Sequence, residues 1–450
     1  MRGRRGYRSG GRPHRGSLAR EMLTLRPPQF QIGTPLAGGR NIRENVSDIL
    51  QTITLSEDEP GYDEEYVPSI INTQVIASYS WTDAEEPTIL VPGALPVWQE
   101  RSLPFSVPRD QGIQFIDQNA HRSELHPVLP LILSIRHISP RFDYGKINII
   151  TDRNGLRKLM SWAGKTATEP CEDFRIDVDV VGKDKNSTVL LTRWEARNHE
   201  EQRYGYGHNF LSAVTSEHWG CKGATSYSRI LQYDFAGLTL LVRYSADAAL
   251  TPTERSATAS ARADSDLDHL ATQIASLNIG TSSKTATPSN NKTNSIEVIP
   301  TKHELSPQSS TIEIKSRTTR SYETFDWPHT LPQLFLSQTP YLYIGIHRQG
   351  YFERVVKHSM PISLRWDAKG KAAGDVIRAD ADMQKALDSA KHALKDLGRL
   401  LERLREIALE YARTQSEGFR MVLLCESGKL SLYRRSSEDK LPREVYDAFN

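Results

Sequence analysis

Asp247, Glu313 and Lys315 are the side chains of this 450-residue chain whose types and spacing could hydrolyse a phosphodiester. Asp247 closes an apolar run, LTLLVRYSAD, that reads as a buried strand. Glu313 and Lys315 flank Ile314 on a second run, TIEIKSR. Residues two apart on a strand point to one face, so the Glu313 carboxylate and the Lys315 ammonium project together, beside Asp247 if the two strands pair. Two carboxylates suit a hard cation such as Mg2+ or Mn2+, which takes oxygen ligands. Such a cation polarises a phosphate and lowers the pKa of a bound water. The lysine can orient that water or offset charge building on the phosphate. The plain alternative is a surface strand carrying an acid-x-lysine string by chance.

The elements that must position these residues belong to an ordinary globular composition, 38% hydrophobic and 25% charged, on a chain long enough for a large core. The net charge is only +2, so the chain as a whole is no polycation. Charge is unevenly placed. Arg2, Arg4, Arg5, Arg8, Arg12, Arg15 and Arg20 fall in the first 20 residues without one acid, and an acidic run, SEDEPGYDEEY, occupies 56–66. The Arg-Gly start cannot bury enough apolar surface to fold alone, and such segments bind RNA by charge and by stacking on bases. Three cysteines without a CxxC pair argue against a disulfide framework or a cysteine zinc site and point to a reducing compartment, nuclear or cytoplasmic. No segment is apolar for long enough to span a bilayer.

Residues 1–70 read as a disordered Arg/Gly-rich arm and an irregular segment with one short helix around NIRENVSDILQTI; folded sequence begins near Ile71. Strands are expected at TQVIASYSW and PTILVP, then a helix over 117–139 broken by Pro127 and Pro130. INIIT leads into a helix, DRNGLRKLMSWA, that Asp152 or Asn154 could cap. FRIDVDVVG and TVLLTRWEA read as a hairpin. YGYGHNF enters a helix, and SRILQYDFAGLTLLVRYSADA gives two strands turning at Ala236-Gly237. Residues 251–306, rich in Thr, Ser, Ala and Asn, read as a disordered insertion within a domain over 71–450. The strand YLYIGIH follows a proline-started helix. Over 380–413, Leu387, Ala390, Leu394, Leu397, Leu401, Leu404, Ala408 and Tyr411 form one apolar seam, for packing on a sheet or as a coiled-coil face. The last hairpin turns at Ser427-Gly428. Strands and helices alternate without a strict βαβ rhythm, which predicts an α/β (α+β) fold, a mixed central sheet with flanking helices.

From Tyr204 to Val355 the chain resembles the decapping exoribonuclease family of PD-(D/E)XK nucleases. TIEIKSR is similar to that family's Glu-x-Lys strand, and QLFLSQTPYLYIGIHRQG to its helix-then-strand, with Gln333, Pro340 and Gly345 in the marked places. LVRYSAD is similar to its Glu-x-Asp strand, placing Asp247 at the aspartate. YGYGHNF is similar to its Gly-bearing helix, and DRNGLRKLM to an Arg-bearing helix that meets RNA, assigning Arg153. The resemblance implies action on the 5′ ends of RNA, a divalent cation, and a possible partner exoribonuclease. It implies that Asp247, Glu313 and the Ile314 carbonyl hold Mg2+ or Mn2+, that Lys315 and Gln333 position the attacking water, and that Arg153 contacts an RNA phosphate.

Two positions depart from the pattern. Asn209 and Ser245 stand where the family has metal-binding carboxylates, and an amide or hydroxyl adds no negative charge to a cation site. They are kept as substrate-binding positions. A closer resemblance is to a group of fungal proteins that share ASYSW…EPTILVPG (Ala77 to Gly93), IDQNAHR (Ile116 to Arg122) and TDRN (Thr151 to Asn154). Members are often labelled geranylgeranyl pyrophosphate synthase, but no DDxxD string occurs here to hold a diphosphate-bound metal. Three readings stand: a metal-dependent RNA hydrolase, a catalytically inactive RNA- or protein-binding module with the same fold, and a scaffold dimerising through the 380–413 helix.

Overall fold

A computed structural model of the chain describes residues 39–55, 67–164, 171–183, 186–202, 205–251, 296–360, 365–366, 372–373, 381–415, 419–436 and 440–449. The arginines of the first 20 residues, the acidic run at 56–66 and residues 252–295 of the expected insertion lie outside them. The described residues all fall within one unit, Pro35–Asn450.

In chain order the elements that matter are β1 (Val46–Thr52), β2 (Ile71–Thr82), β3 (Thr88–Val91), α1 (Gln118–Arg122), α2 (Leu129–Ile138), β4 (Ile149–Asp152), α3 (Arg153–Ala163), β5 (Phe174–Val181), β6 (Thr188–Trp194), α4 (Gly207–Ala213), β7 (Ala224–Phe235), β8 (Leu238–Ser245) and β9 (Ala248–Ala249). There follow β10 (Glu297–Pro300), β11 (Thr311–Thr318), α5 (Trp327–Leu336), β12 (Tyr341–Arg348), β13 (Tyr351–Ser359), α6 (Ala381–Thr414), β14 (Met421–Glu426), β15 (Lys429–Arg435) and α7 (Arg443–Ala448). Among the described residues, β1, β15, β14, β5, β6, β4, β8, β7, β2, β3 and β10 form, in that order, an eleven-stranded sheet. It is mixed: β4 runs parallel to β6 and β8, β10 parallel to β3, and the other neighbours antiparallel. A second, seven-stranded sheet contains β9, β11, β12 and β13, with β11 and β12 parallel.

Period-two patterning decides what each face buries. On β5, Phe174, Ile176 and Val178 join the main core, while Arg175, Asp177 and Asp179 are buried on the opposite face. The main core packs the large sheet against α3, α5 and α6; the seam residues Leu387, Ala390, Leu394, Leu397, Leu401, Leu404 and Ala408 are all in it. The seam is therefore a sheet-packing face. A second cluster covers the other side with Leu129, Ile132 and Ile135 of α2 and Val445 of α7.

The expected mixed sheets with flanking helices are present, with four corrections. The NIRENVSDILQTI segment forms a strand, β1, paired antiparallel with β15, because β15 leaves an edge that β1 completes. Ordered structure thus begins well before Ile71. The end of the 251–306 segment is β10, which extends the other edge beside β3. The 117–139 helix is two helices; Pro130 stands in the first turn of α2, where a missing N–H costs nothing. Among the described residues, no helix is long and apolar enough to cross a membrane.

Candidate active site

Asp247 does not sit on a strand that pairs with the Glu313 strand, as the sequence suggested. β8 ends at Ser245 in the large sheet, and the chain crosses to the second sheet at once. There the two-residue β9 pairs antiparallel with β11, Ala248 opposite Ile312 and Ala249 opposite Thr311. Continuing that register sets Asp247 across from Glu313. Asp247 Oδ2 accepts the Ile314 N–H at 2.8 Å. The three residues meet because a sheet-to-sheet crossover places them together.

Glu313 is the hub, only 6% exposed. Lys315 Nζ donates to its Oε1 at 3.1 Å, as the two-residue spacing requires. Gln333 Nε2, from α5, donates to the same oxygen, and its Oε1 accepts from Lys315 Nζ at 3.3 Å. Arg153 Nη1 reaches Oε2 at 3.3 Å and Ser337 Oγ at 3.4 Å. Its guanidinium also lies over the Tyr244 ring, 5.5 Å from the centroid. Asp152 Oδ1 accepts from the N–H groups of Asn154 and Gly155, capping α3 so that the helix opens with Arg153 facing β11. Asp152 rather than Asn154 is the cap. Asp326 caps α5 through the His329 N–H, and Gln333 follows on the buried side of that helix.

Electrostatics separate the two carboxylates. Burial, with the Glu313 charge beside it, pushes Asp247 up to about 7; the Ile314 N–H, Lys315 and Arg153 offset only part of this. Burial also acts to raise Glu313, but Lys315 and Arg153 outweigh it, and Glu313 is held below the ordinary carboxylate value. The pair therefore favours one negative charge near neutral pH. A divalent cation would supply the positive charge that lets both ionise. Asp247 and Glu313 with a backbone oxygen fit a hard cation, though with only two carboxylates; among the described residues, no group of three or more His, Cys, Asp and Glu side chains is arranged to hold a metal.

Among the described residues, neither Asn209 nor Ser245 makes a side-chain hydrogen bond to Asp247, Glu313 or Lys315. Asn209 Nδ2 donates to the carbonyls of Pro108 and Arg109, and its N–H is accepted by Asp110 Oδ1. Ser245 is exposed at the end of β8. Arg153 is 8% exposed, and its guanidinium engages Glu313 and Ser337. Ile314 meets Asp247 through its N–H.

Sequence reasoning missed a second buried network that ties three quoted motifs together. Asn119 Oδ1 of IDQNAHR accepts from the Tyr79 hydroxyl at 2.5 Å and from Trp81 Nε1 at 2.9 Å, both in ASYSW. Asp117 Oδ2 takes Arg193 at 2.8 Å and Arg243 at 3.5 Å. Arg193 Nε also holds Asp152 of TDRN at 3.2 Å. Burial works against the Asp117 charge, but Arg243 and Arg193 outweigh it and lower its pKa. Asp152 thus joins this network to the helix that presents Arg153. Arg157, one turn further along α3, pairs with His329 Nε2 at 2.7 Å. Apart from His329, each of these polar residues lay inside a motif or strand already singled out; the missing signal was the distance between motifs in space.

The model of a domain family of unknown function (DUF8563) matches residues 55–422. None of the curated proteins matches the chain. Solved structures similar to it include S. pombe Rai1, 12% identical over 82% of this chain and 95% of that chain, with a TM-score of 0.46. Candida albicans Rai1 in complex with pU5-Mn2+ is 11% identical over 85% and 96%, with a TM-score of 0.45. K. lactis Dxo1 in complex with manganese is 10% identical over 84% and 96%, also at 0.45.

Proposed function

We propose, for a chain that belongs to the DUF8563 family, metal-dependent hydrolysis at the 5′ ends of RNA, at a phosphodiester or a cap pyrophosphate. The observation that carries this reading is the convergence on one buried carboxylate, Glu313, of Lys315, Gln333 and Arg153, with Asp247 tied to the next residue. Three elements, α3, β11 and α5, and the crossover before β9 deliver these groups, in the order of the nuclease motifs they resemble. A chance acid-x-lysine string on a surface strand would not be buried at this depth or meet partners from α3 and α5.

Asp247, Glu313 and the Ile314 carbonyl would hold the cation, Mg2+ or Mn2+, which when bound polarises the scissile phosphate and acidifies its water. Lys315, fixed by Glu313 and Gln333, directs its ammonium at a water or a phosphate oxygen. Gln333 sets the rotamer of Lys315 by accepting one of its protons. Arg153 keeps Glu313 ionised and, when substrate displaces its contact with Ser337, offers a guanidinium to a phosphate. The arginines of the N-terminal arm, Arg2, Arg4, Arg5, Arg8, Arg12 and Arg15, would add salt-dependent affinity for RNA. This reading includes a nuclear or cytoplasmic setting, a partner exoribonuclease, and kinship with the fungal group named above; without a DDxxD string it excludes prenyl synthase chemistry.

One observation favours a second reading, a binding module that keeps the fold without the reaction. Asn209 spends its amide on the 108–109 backbone, and Ser245 carries no charge at the crossover. Incubation of the protein with capped and uncapped 5′-labelled RNA, in Mn2+ and in chelator, separates the two. Cleavage that needs the ion supports the hydrolase. RNA retention without cleavage in either condition replaces it with the binding module.

A further inference from the structure

Two of the three cysteines meet at a place the proposed reaction does not use. Alternate residues of β14, Met421, Leu423 and Cys425, enter the main core, and Cys425 is fully buried. It stands opposite Phe174, the first residue of β5, in an antiparallel pair. Cys171 lies three residues before Phe174, on the irregular approach to that strand, and is half-buried. Cys425 Sγ donates to Cys171 Sγ at 3.9 Å, across a separation of 254 residues in the chain. Cys221 packs elsewhere, with Leu90, Ala94 and Ala224.

The surroundings hold one thiol still and leave the other reachable. β14 is paired on both sides, to β5 and to β15, which fixes Cys425. The approach to β5 is pinned beside it, because the Ser427 N–H donates to Asp173 Oδ1 at 2.8 Å. Trp162 Nε1, near the end of α3, donates to the Gly428 carbonyl at 3.0 Å and ties that helix to the same turn. Cys171 belongs to no helix or strand, and its thiol also donates to the Glu172 carbonyl at 3.5 Å. A disulfide needs its sulfurs ~2.05 Å apart, so closure asks the Cys171 thiol to move about 1.9 Å. The plain alternative is that buried cysteine serves as a small apolar filler. That accounts for Cys425 but not for a second, solvent-reachable thiol laid against it.

We infer that Cys171 and Cys425 are a dithiol–disulfide pair, Cys171 the thiol that meets a small disulfide oxidant from solvent and Cys425 the thiol that resolves it. Cys171, as thiolate, attacks one sulfur of the oxidant; that S–S bond breaks and one small thiol leaves, taking up a proton. Cys425 then gives up its proton and attacks Cys171 Sγ, expelling the second small thiol, which is protonated in turn. Two protein thiols are oxidised to one disulfide and the oxidant is reduced to two thiols. In a reducing compartment such a bond is transient, formed when the thiol pool is oxidised and reversed when it recovers. The pair is separate from the Glu313 hub and stands whether or not that hub is catalytic.

The test incubates the folded full chain with glutathione disulfide, blocks remaining thiols by alkylation, and reads intact mass, tryptic peptides without reduction, and melting temperature. The expected result is a monomer lighter by two hydrogens, with peptide 166–175 joined to peptide 421–429. Its melting temperature rises by a few degrees, because the bond closes a long loop, and dithiothreitol returns it to the starting value. Cys171→Ser abolishes both the link and the shift. Cys425→Ser leaves a glutathione adduct trapped on Cys171, and Cys221→Ser changes nothing. If Cys425→Ser fails to fold, Cys171→Ser decides alone. A wild-type chain that keeps glutathione on Cys171 without linking to Cys425 overturns the assignment. So does a link through Cys221 or between two chains, or three thiols that stay reduced in excess oxidant.

Discussion

Asp247 Oδ2 accepts the backbone N–H of Ile314 at 2.8 Å, and this one bond fastens the crossover between the two sheets to the strand that carries Glu313 and Lys315. It makes Asp247 both a latch and a candidate ligand. A hydrogen bond to a backbone N–H favours the ionised carboxyl, yet burial and the Glu313 charge win, and the group titrates near 7.

That balance gives a pH signature. A carboxyl with an ordinary value of 3.8 that holds its proton up to about 7 in the folded protein contributes stability that is full below about 4 and is lost as pH rises through 7. Asp247→Asn cannot ionise, so the stability of the wild type minus that of the variant should fall from pH 5 to pH 8 in metal-free buffer. Denaturant melts across that range measure the difference. A flat difference would mean Asp247 is ionised throughout. Mn2+ titrated in two buffers of different ionisation heat should release a proton fraction at pH 6.5 that shrinks by pH 8.

Arg153 is a buried partner of Glu313. Arg153→Ala should cost about 3–5 kcal/mol, because it strands a buried carboxylate. Arg153→Ala/Glu313→Gln should recover much of that loss, since no charge is left unpaired. Equal loss in the single and double variants would show that Arg153 acts through packing on Tyr244 alone.

Lys315 and Gln333 share Glu313 Oε1, so they should act as a unit. Lys315→Met should lower the single-turnover rate roughly 10²–10⁴-fold with RNA affinity within a few fold. Gln333→Leu should lower it less, and the double variant should be no worse than Lys315→Met. Additive losses would separate the two roles.

Gly345 on β12 faces the Phe210 ring so closely that a Cβ there would lie 2.3 Å from Phe210 Cζ. Phe210 is fully buried and follows Asn209 on α4. Gly345→Ala should therefore destabilise the fold by about 1–3 kcal/mol through overpacking, and Gly345→Ala/Phe210→Leu should regain part of it. Thermal melts of the three proteins check this; an unperturbed melt for Gly345→Ala would show that the ring can move aside.

Local patterns were legible where one period rules. The α6 seam, the β5–β6 hairpin, the Asp152 cap and the pairing of Glu313 with Lys315 all follow from spacing along one continuous stretch of chain. β1 was read as a helix because its partner β15 lies almost 400 residues along the chain, and an exposed, half-polar strand has little pattern of its own. The hub was half legible. Its members were named, but the crossover that unites Asp247 with Glu313 depends on the two-residue β9, too short to carry a periodic signal. The turn of Asn209 toward the 108–109 carbonyls depends on a segment a hundred residues away.

The most direct test of the hydrolase reading compares wild type with Glu313→Gln on 5′-labelled RNA in Mn2+, over a range of enzyme in excess of substrate. Glu313→Gln keeps the size of the hub and removes one ligand charge. The expected result is ion-dependent cleavage by the wild type and none by the variant, with RNA bound by both. Cleavage at the same rate by Glu313→Gln would place the activity elsewhere and contradict the account.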